Sequence, residues 1–446
     1  MPLSPDPVWT RRFSAEEQEA LAHEATAGAA ARAAAGVAAP LAGLRFAVKD
    51  LIAVRGCVMG CGNPHWAARQ QASTVTAPAV QLLQAAGARC LGTTWLDEFA
   101  FGLAGENAWG GTPPNPRAPG RIPGGSSSGS AAAVALGEAD LALGTDTAGS
   151  IRAPASWCGL WGLRPSHGSV GTDGVAPLAP SFDTVGLFAT SHETLQLGMT
   201  TLLEPIASLV SSDQASLDAP AMANPLAAPV RPATNTLEWE PSVRAIGWIP
   251  ELWALADPAI CAPLERQAQE LAEGLGRPLQ RWPLAKLGFT SPQELQRLLE
   301  AVQWAEIERC LAHLPSDLPV GPSLARNRAL VAGRDRSLLA GAVIARQALR
   351  EKLHQLLAPG SSGHGPALLL LPCTPTVAPP CRSLGSDRST STLIQRLLQL
   401  GALASLAGLP QLARPGSVDL DHGLPVGLGV LTHAGGDRLL LNLPEP

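Results

Sequence analysis

Gly124-Gly-Ser-Ser-Ser-Gly-Ser130 and, downstream of it, Gly144-Thr-Asp-Thr-Ala-Gly-Ser-Ile-Arg152 decide how this chain is read. Four serines beside three glycines in seven residues would suit a flexible linker. The flanks argue otherwise: Ser130-Ala-Ala-Ala-Val-Ala-Leu136 has the composition of a helix, and residues 140–144 that of a short buried strand. A linker is not normally embedded between core elements. In the second segment Ser150 follows Thr147-Ala148-Gly149, between that strand and a helix expected from Ser150 to Trp157. Such a turn aims consecutive backbone N–H groups at one point, next to the positive end of a helix. An anionic tetrahedral intermediate requires donors of that kind, so Ser150 is a candidate nucleophile. Two bases are available to it. His167 is the nearest histidine, in a turn-like Pro-Ser-His-Gly context; Lys49 lies in an apolar strand, where desolvation lowers an amine's pKa. Either arrangement is chemically sound. Asp-Thr-Ala-Gly-Ser also has the look of an aspartic-protease loop, but that chemistry needs two carboxylates sharing a proton, and there is no second copy.

The bulk numbers narrow the class. The chain has 446 residues, 46% of them hydrophobic, which excludes global disorder. The length admits two or three domains, or one large α/β unit. A net charge of −5 gives no footprint for nucleic acid or anionic lipid. No uninterrupted apolar run reaches about 18 residues, so no membrane span is expected. Met1–Phe13 has no apolar core behind Arg11-Arg12, so it is not read as a secretory signal, and a cytoplasmic location is expected. The eight cysteines lack paired zinc spacing and are read as small buried thiols; histidines are unclustered, and neither metal nor cofactor is expected. Only three of the 32 basic Lys and Arg residues are lysine: Lys49, Lys286 and Lys352.

Along the chain, residues 13–36 read as one or two surface helices and Leu44–Val54 as a strand carrying Lys49. A helix over Ala77–Ala88 and a strand over Arg89–Gly92 form one α/β unit, and Gly105–Ser130 is largely irregular. Residues 211–243, rich in Pro, Ala, Ser and Asn, read as a surface linker. A strand near Val243–Trp248 and helices near 257–275, 291–313 and 335–357 follow. Ala367-Leu-Leu-Leu-Leu-Pro372 reads as a buried strand whose partner is the segment Gly427–Thr432. Alternating strands and helices predict an α/β fold with a mostly parallel or mixed sheet.

Val48-Lys-Asp, Gly124-Gly-Ser-Ser-Ser-Gly-Ser-Ala-Ala-Ala-Val-Ala and Gly-Thr-Asp-Thr-Ala-Gly-Ser-Ile-Arg-Ala-Pro-Ala together resemble the amidase signature family. The resemblance continues through Gly159-Leu-Trp-Gly-Leu-Arg-Pro-Ser-His-Gly and Leu371-Pro-Cys-Thr-Pro-Thr-Val-Ala-Pro, covering about residues 40–200 and 365–432. It implies an α/β/α sandwich with a mixed central β-sheet, a single amidase domain over 1–446, and a variable helical region over 244–360. It further implies a Ser–cis-Ser–Lys triad with Ser150 as nucleophile, Ser126 as bridge after a cis Gly125–Ser126 peptide bond, and Lys49 as base. The oxyanion donors implied are the backbones of Thr147, Ala148, Gly149 and Ser150, with Ala100 in the acyl-group wall. No cofactor is implied, the partner is a small-molecule amide, and a homodimer is admitted.

Gly62-Asn-Pro-His-Trp and Gly105-Glu-Asn-Ala-Trp-Gly-Gly-Thr-Pro-Pro-Asn-Pro look most like the plant indole-3-acetamide hydrolase branch, which points to aryl- or alkyl-acetamides. Two readings compete: the glutamine-hydrolysing subunit of a tRNA-dependent amidotransferase, and a catalytically weak amidase-like binding module. One departure supports the latter. Ala148 stands in the turn where the family has glycine; alanine dislikes positive φ, so either activity is reduced or the φ there is one that alanine tolerates. Arg152 is expected in an ion pair with Asp146 or Asp183, Trp109 at the pocket border or in the core, and Asp50, Asp97 and Glu98 holding loops.

Overall fold

The computed structural model describes residues 6–24, 39–204, 243–359, 367–383 and 392–445. The linker expected over 211–243 lies outside them but for its last residue. Eleven strands form one sheet: β1 (Trp9–Arg12), β2 (Arg45–Lys49), β3 (Arg89–Thr94), β4 (Leu141–Asp146), β5 (Trp161–Arg164), β6 (Thr184–Ala189), β7 (Ala245–Trp248), β8 (Leu279–Arg281), β9 (Ala367–Pro372), β10 (Gln411–Val418) and β11 (Pro425–Leu431). Their order is β1-β3-β2-β4-β6-β5-β10-β11-β9-β7-β8. The sheet is mixed: β3-β2-β4 and β9-β7-β8 are parallel, while the strands between β4 and β9 pair antiparallel.

Alternation along the strands shows that both faces are covered. Phe46, Val48, Leu141, Leu143, Leu187 and Leu412 enter one buried cluster, whereas their neighbours Ala47, Ala142, Phe188 and Ala413 enter a second. Side chains of successive strand residues point to opposite faces, so these are two cores separated by the sheet. The second face carries alanines because it receives the alanine-rich helix α1 (Ser128–Ala135), which contributes Ala131–Val134 to that core. The result is the α/β sandwich expected from the sequence.

Four further helices bear on the site: α2 (Arg152–Trp157), α3 (Pro292–Leu311), α4 (Leu339–Leu357) and α5 (Thr392–Ala407). The last buries almost every side chain from Leu397 to Ala407 and presses Gly401 onto the chain after β4; a Cβ there would stand 2.3 Å from the Ala148 carbonyl oxygen. From α3 and α4, Glu306 and Arg346 reach over to hold Ser181: its N–H donates to Glu306 Oε2 at 2.8 Å, and Arg346 Nη1 donates to its Oγ at 2.7 Å.

The strand read over Leu44–Val54 is shorter. β2 ends at Lys49, and the N–H groups of Leu51 and Ile52 turn back to its carbonyl at 2.7 and 2.9 Å. Leu51–Val54 are apolar because they are buried in that turn and not because they continue the strand. β9 pairs with β11 as expected, Leu428 opposite Pro372.

Candidate active site

β2 and β4 are parallel neighbours with Val48 opposite Leu143, so their C-terminal ends open on the same edge. One end delivers Lys49 and the other the turn bearing Ser150. Lys49 Nζ donates to Ser126 Oγ and to Thr145 Oγ1, each at 2.8 Å. Lys49, Ser126 and Ser150 are all buried. Burial pulls the amine down to about 7, even though Asp97, Asp146 and Asp183 favour its charged form. The residue pair that the sequence separates by a whole α/β unit is therefore joined, with an amine that holds or releases a proton near neutrality.

The serine-rich stretch is stitched to β4 and is no linker. Ser127 Oγ donates to the Thr145 carbonyl at 3.1 Å, and Ser130 Oγ to that of Leu143 at 2.9 Å. The Gly125–Ser126 peptide bond is cis, as the family resemblance implies.

Asp146 organises the turn that follows β4. Its Oδ1 accepts from the Gly149 N–H and its Oδ2 from that of Ile151, both at 3.0 Å. Arg152 donates to the same carboxylate at 3.0 and 2.8 Å, and Arg164 at 3.0 Å. The expected ion pair of Arg152 is thus with Asp146, while Asp183 accepts from Thr147 Oγ1 at 2.6 Å. Arg152 spends its remaining N–H groups on the Gly401 carbonyl, Gln411 Oε1 and Ser405 Oγ. All five of its donors are engaged, which leaves none for a substrate carboxylate.

The structure bears on two features of the turn. The Gly149 N–H is committed to Asp146, so among the four expected oxyanion donors it is Thr147, Ala148 and Ser150 whose N–H groups take no intramolecular partner among the described residues. Ala148 is not among the residues with positive φ; Gly149 is, at +139°. Glycine is needed at one position of this turn, and it is there. Ala100 lies buried in the 3₁₀ turn Glu98–Ala100, and a small cavity beside Ala148 and Gly149 is lined by Leu103, Cys373, Leu397 and Leu400. His167 is spent elsewhere: its Nε2 faces the Pro180 carbonyl at 2.9 Å, and burial lowers its pKa to about 4. Trp109 donates to Glu98 Oε1 at 3.1 Å, and Glu98 in turn accepts the Gly321 N–H at 2.9 Å, so Glu98 does hold loops. Sequence reading did not single out Thr145, the second hydroxyl on Lys49. Strand alternation gave no signal for it: Thr145 has the parity of Leu143 and Lys49 that of Ala47, and only the fold at the strand ends brings the two together.

Among the described residues, one group could approach a metal ion, Asp419, Asp421 and His422. Its buried member, Asp419, already accepts the N–H groups of His422 and Leu424 at 3.0 and 2.6 Å, which closes a turn.

The family described as Amidase matches residues 11–441, and the chain belongs to it. "Amidase 1" of Oryza sativa subsp. japonica is 55% identical over 156 residues, 35% of this chain and 36% of that protein. "Translocon at the outer membrane of chloroplasts 64" of Pisum sativum is 48% identical over 157 residues, 35% of this chain and 26% of that protein. The matched stretch thus spans about a third or less of these curated relatives. Among solved structures, one from a vestigial protein complex bearing on the origins of an s-triazine catabolic enzyme superposes with a TM-score of 0.76 at 28% identity, over 97% of this chain and 89% of that one. No helix among the described residues is long and apolar enough to cross a membrane.

Proposed function

We propose that this chain is a serine amidohydrolase that cleaves a small carboxylic amide to the acid and ammonia through an acyl-enzyme. The observation that carries the reading is the buried 2.8 Å contact between Lys49 Nζ and Ser126 Oγ, with the amine poised near 7. Neutral Lys49 accepts a proton relayed by Ser126 from Ser150, whose Oγ bonds to the amide carbon. The N–H groups of Thr147, Ala148 and Ser150 hold the oxyanion. The C–N bond breaks as the relay returns the proton to the departing nitrogen, and water repeats the sequence to release the acid.

The favoured substrates are uncharged aryl- or alkyl-acetamides such as indole-3-acetamide. The leucines beside the turn and the saturated Arg152 offer no charged partner for the amino and carboxylate groups of glutamine. Similarity to the rice Amidase 1 supports the same choice. Against the binding-module reading stands the intact lysine–serine contact. Eight free cysteines suit a reducing, cytoplasmic setting. The test is ammonia release from indole-3-acetamide, phenylacetamide and glutamine, with Ser150→Ala as control. Turnover of the acetamides over glutamine is expected; no turnover of any amide by the purified chain refutes the stand-alone hydrolase.

A further inference from the structure

Asp97 lies on the loop after β3, buried, and its backbone N–H donates to the carbonyl of Ser126 at 3.1 Å. Its Oδ2 accepts the Gly105 N–H at 3.1 Å, while Oδ1 has no hydrogen-bond partner among the described residues. The carboxylate sits so close over Gly125 that a Cβ there would come within 2.4 Å of Oδ1. An uncommitted carboxylate oxygen is therefore held against the residue preceding Ser126, the hydroxyl that Lys49 touches. A buried polar atom left without a partner is costly unless charge elsewhere compensates it.

Three other titratable groups face Lys49, and each is spent or neutral. Asp146 is neutralised by Arg152 and Arg164. Asp183 accepts the Thr147 hydroxyl and the N–H groups of Leu178 and Ala179. Burial pushes the Cys61 thiol far above its usual range, so it carries no charge. Lys49's own partners, Ser126 and Thr145, are hydroxyls. When the proton of Ser150 arrives, the new ammonium has one carboxylate with capacity to spare.

We infer that Asp97 is the counter-charge of Lys49, a positioning residue that stabilises the ammonium formed during acylation while its backbone anchors Ser126. The inference rests on the proposed triad. Asp97 is itself raised to about 6 by burial, with Lys49 pulling it back and Glu106 pushing it up, so it is ionised where Lys49 titrates. Glu106 is occupied by the Arg382 N–H.

The experiment follows the pH dependence of Ser150 labelling by a fluorophosphonate, which needs the nucleophile and its base but no particular amide. In Asp97→Asn, loss of the negative charge makes the ammonium harder to form. The acid limb moves down by about one pH unit, and the plateau rate falls about tenfold. A limb that stays in place, whatever the plateau loss, makes Asp97 merely structural and overturns the inference alone. A wild-type chain that is not labelled, or labelling that survives Ser150→Ala, overturns the triad and the inference with it. Should thermal unfolding show that Asp97→Asn does not fold, the intact protein is grown on ¹³C-lysine. Its three lysines give three ε-carbon resonances, assigned with Lys286→Arg and Lys352→Arg. The Lys49 signal then carries a second inflection where Asp97 titrates; a single inflection refutes the coupling.

Discussion

Asp146→Asn should be among the most damaging conservative substitutions in the molecule. The carboxylate is fully buried and accepts from two guanidinium groups and from the N–H groups of Gly149 and Ile151. Asparagine keeps one acceptor oxygen and replaces the other by a donor that faces donors. It also strips the counter-charge from Arg152 and Arg164, which are 2% and 0% exposed at their side chains. Breaking a buried pair in this way costs about 3–5 kcal/mol, against a native stability of about 5–15 kcal/mol. Urea denaturation followed by tryptophan fluorescence measures it; with m near 3 kcal/mol per M, the midpoint falls by about 1 M or more. The pH dependence supplies a second leg. Burial alone would raise the carboxyl, but Arg152 and Arg164 overcome that and hold it well below the usual range. A folded-state pKa depressed below the unfolded value of about 3.9 contributes stability above that value. The contribution is lost as pH falls towards the folded pKa. The gap between wild type and variant is therefore constant above pH 5 and closes below about 4. A loss under about 1 kcal/mol, or a gap that ignores acid, refutes the assignment of Asp146 as the charge centre of the turn.

Lys49→Met and Lys49→Arg should both lower kcat/KM by about 10²–10⁴, because arginine cannot surrender a proton. Ammonia release assays with the best substrate decide this, and rescue by arginine would contradict a base role. In the wild type, activity falls as pH drops through about 7 and Lys49 gains its proton; a rate profile flat down to pH 5 is incompatible with that base. Gly401→Ala puts a Cβ 2.3 Å from the Ala148 carbonyl oxygen, costing about 1–3 kcal/mol as α5 backs away from the turn. A thermal melt and kcat identical to wild type would show that the contact relaxes freely. Ala148→Gly should leave kcat within about threefold, while Gly149→Ala, at φ +139°, should lower it by more than tenfold; the reverse ranking in the same assay would mean the wrong residue carries the unusual backbone.

Much of this site was legible because its chemistry is local in sequence. Ser150 and its turn, the serine run and the α1 helix lie within 30 residues of one another, and the family resemblance of these motifs named the three side chains proposed to react. Lys49 was legible by contrast, as an amine in apolar surroundings. What stayed hidden is what depends on tertiary approach. Nothing in Leu44–Val54 distinguishes a strand from a buried turn, since both are apolar; the chain reverses at Lys49 through backbone bonds that leave no side-chain signature. β10 escaped notice because Arg414-Pro-Gly416 interrupts it, and the pairing with β11 indeed shifts register between Arg414 and Ser417. The helix Pro322–Ala332, with its Arg-Asn-Arg centre, lacked an apolar stripe and buries only Leu324, Asn327 and Val331. Asp97 was read as a loop anchor, which its bonds to Ser126 and Gly105 bear out, but its orphaned oxygen cannot be seen before the fold brings Gly125 beneath it.

The parallel pairing of β2 with β4 carries a consequence for how this protein can change. A slip of one residue between those strands would send Lys49 to the opposite face and disconnect it from Ser126. Tolerance to insertion should accordingly be poor in the two strands and in the short turns that leave them. For the proposed hydrolase, mutational libraries aimed at new acyl groups belong at Leu397 and Leu400, which line the cavity beside the turn but lie outside the β2–β4 ladder.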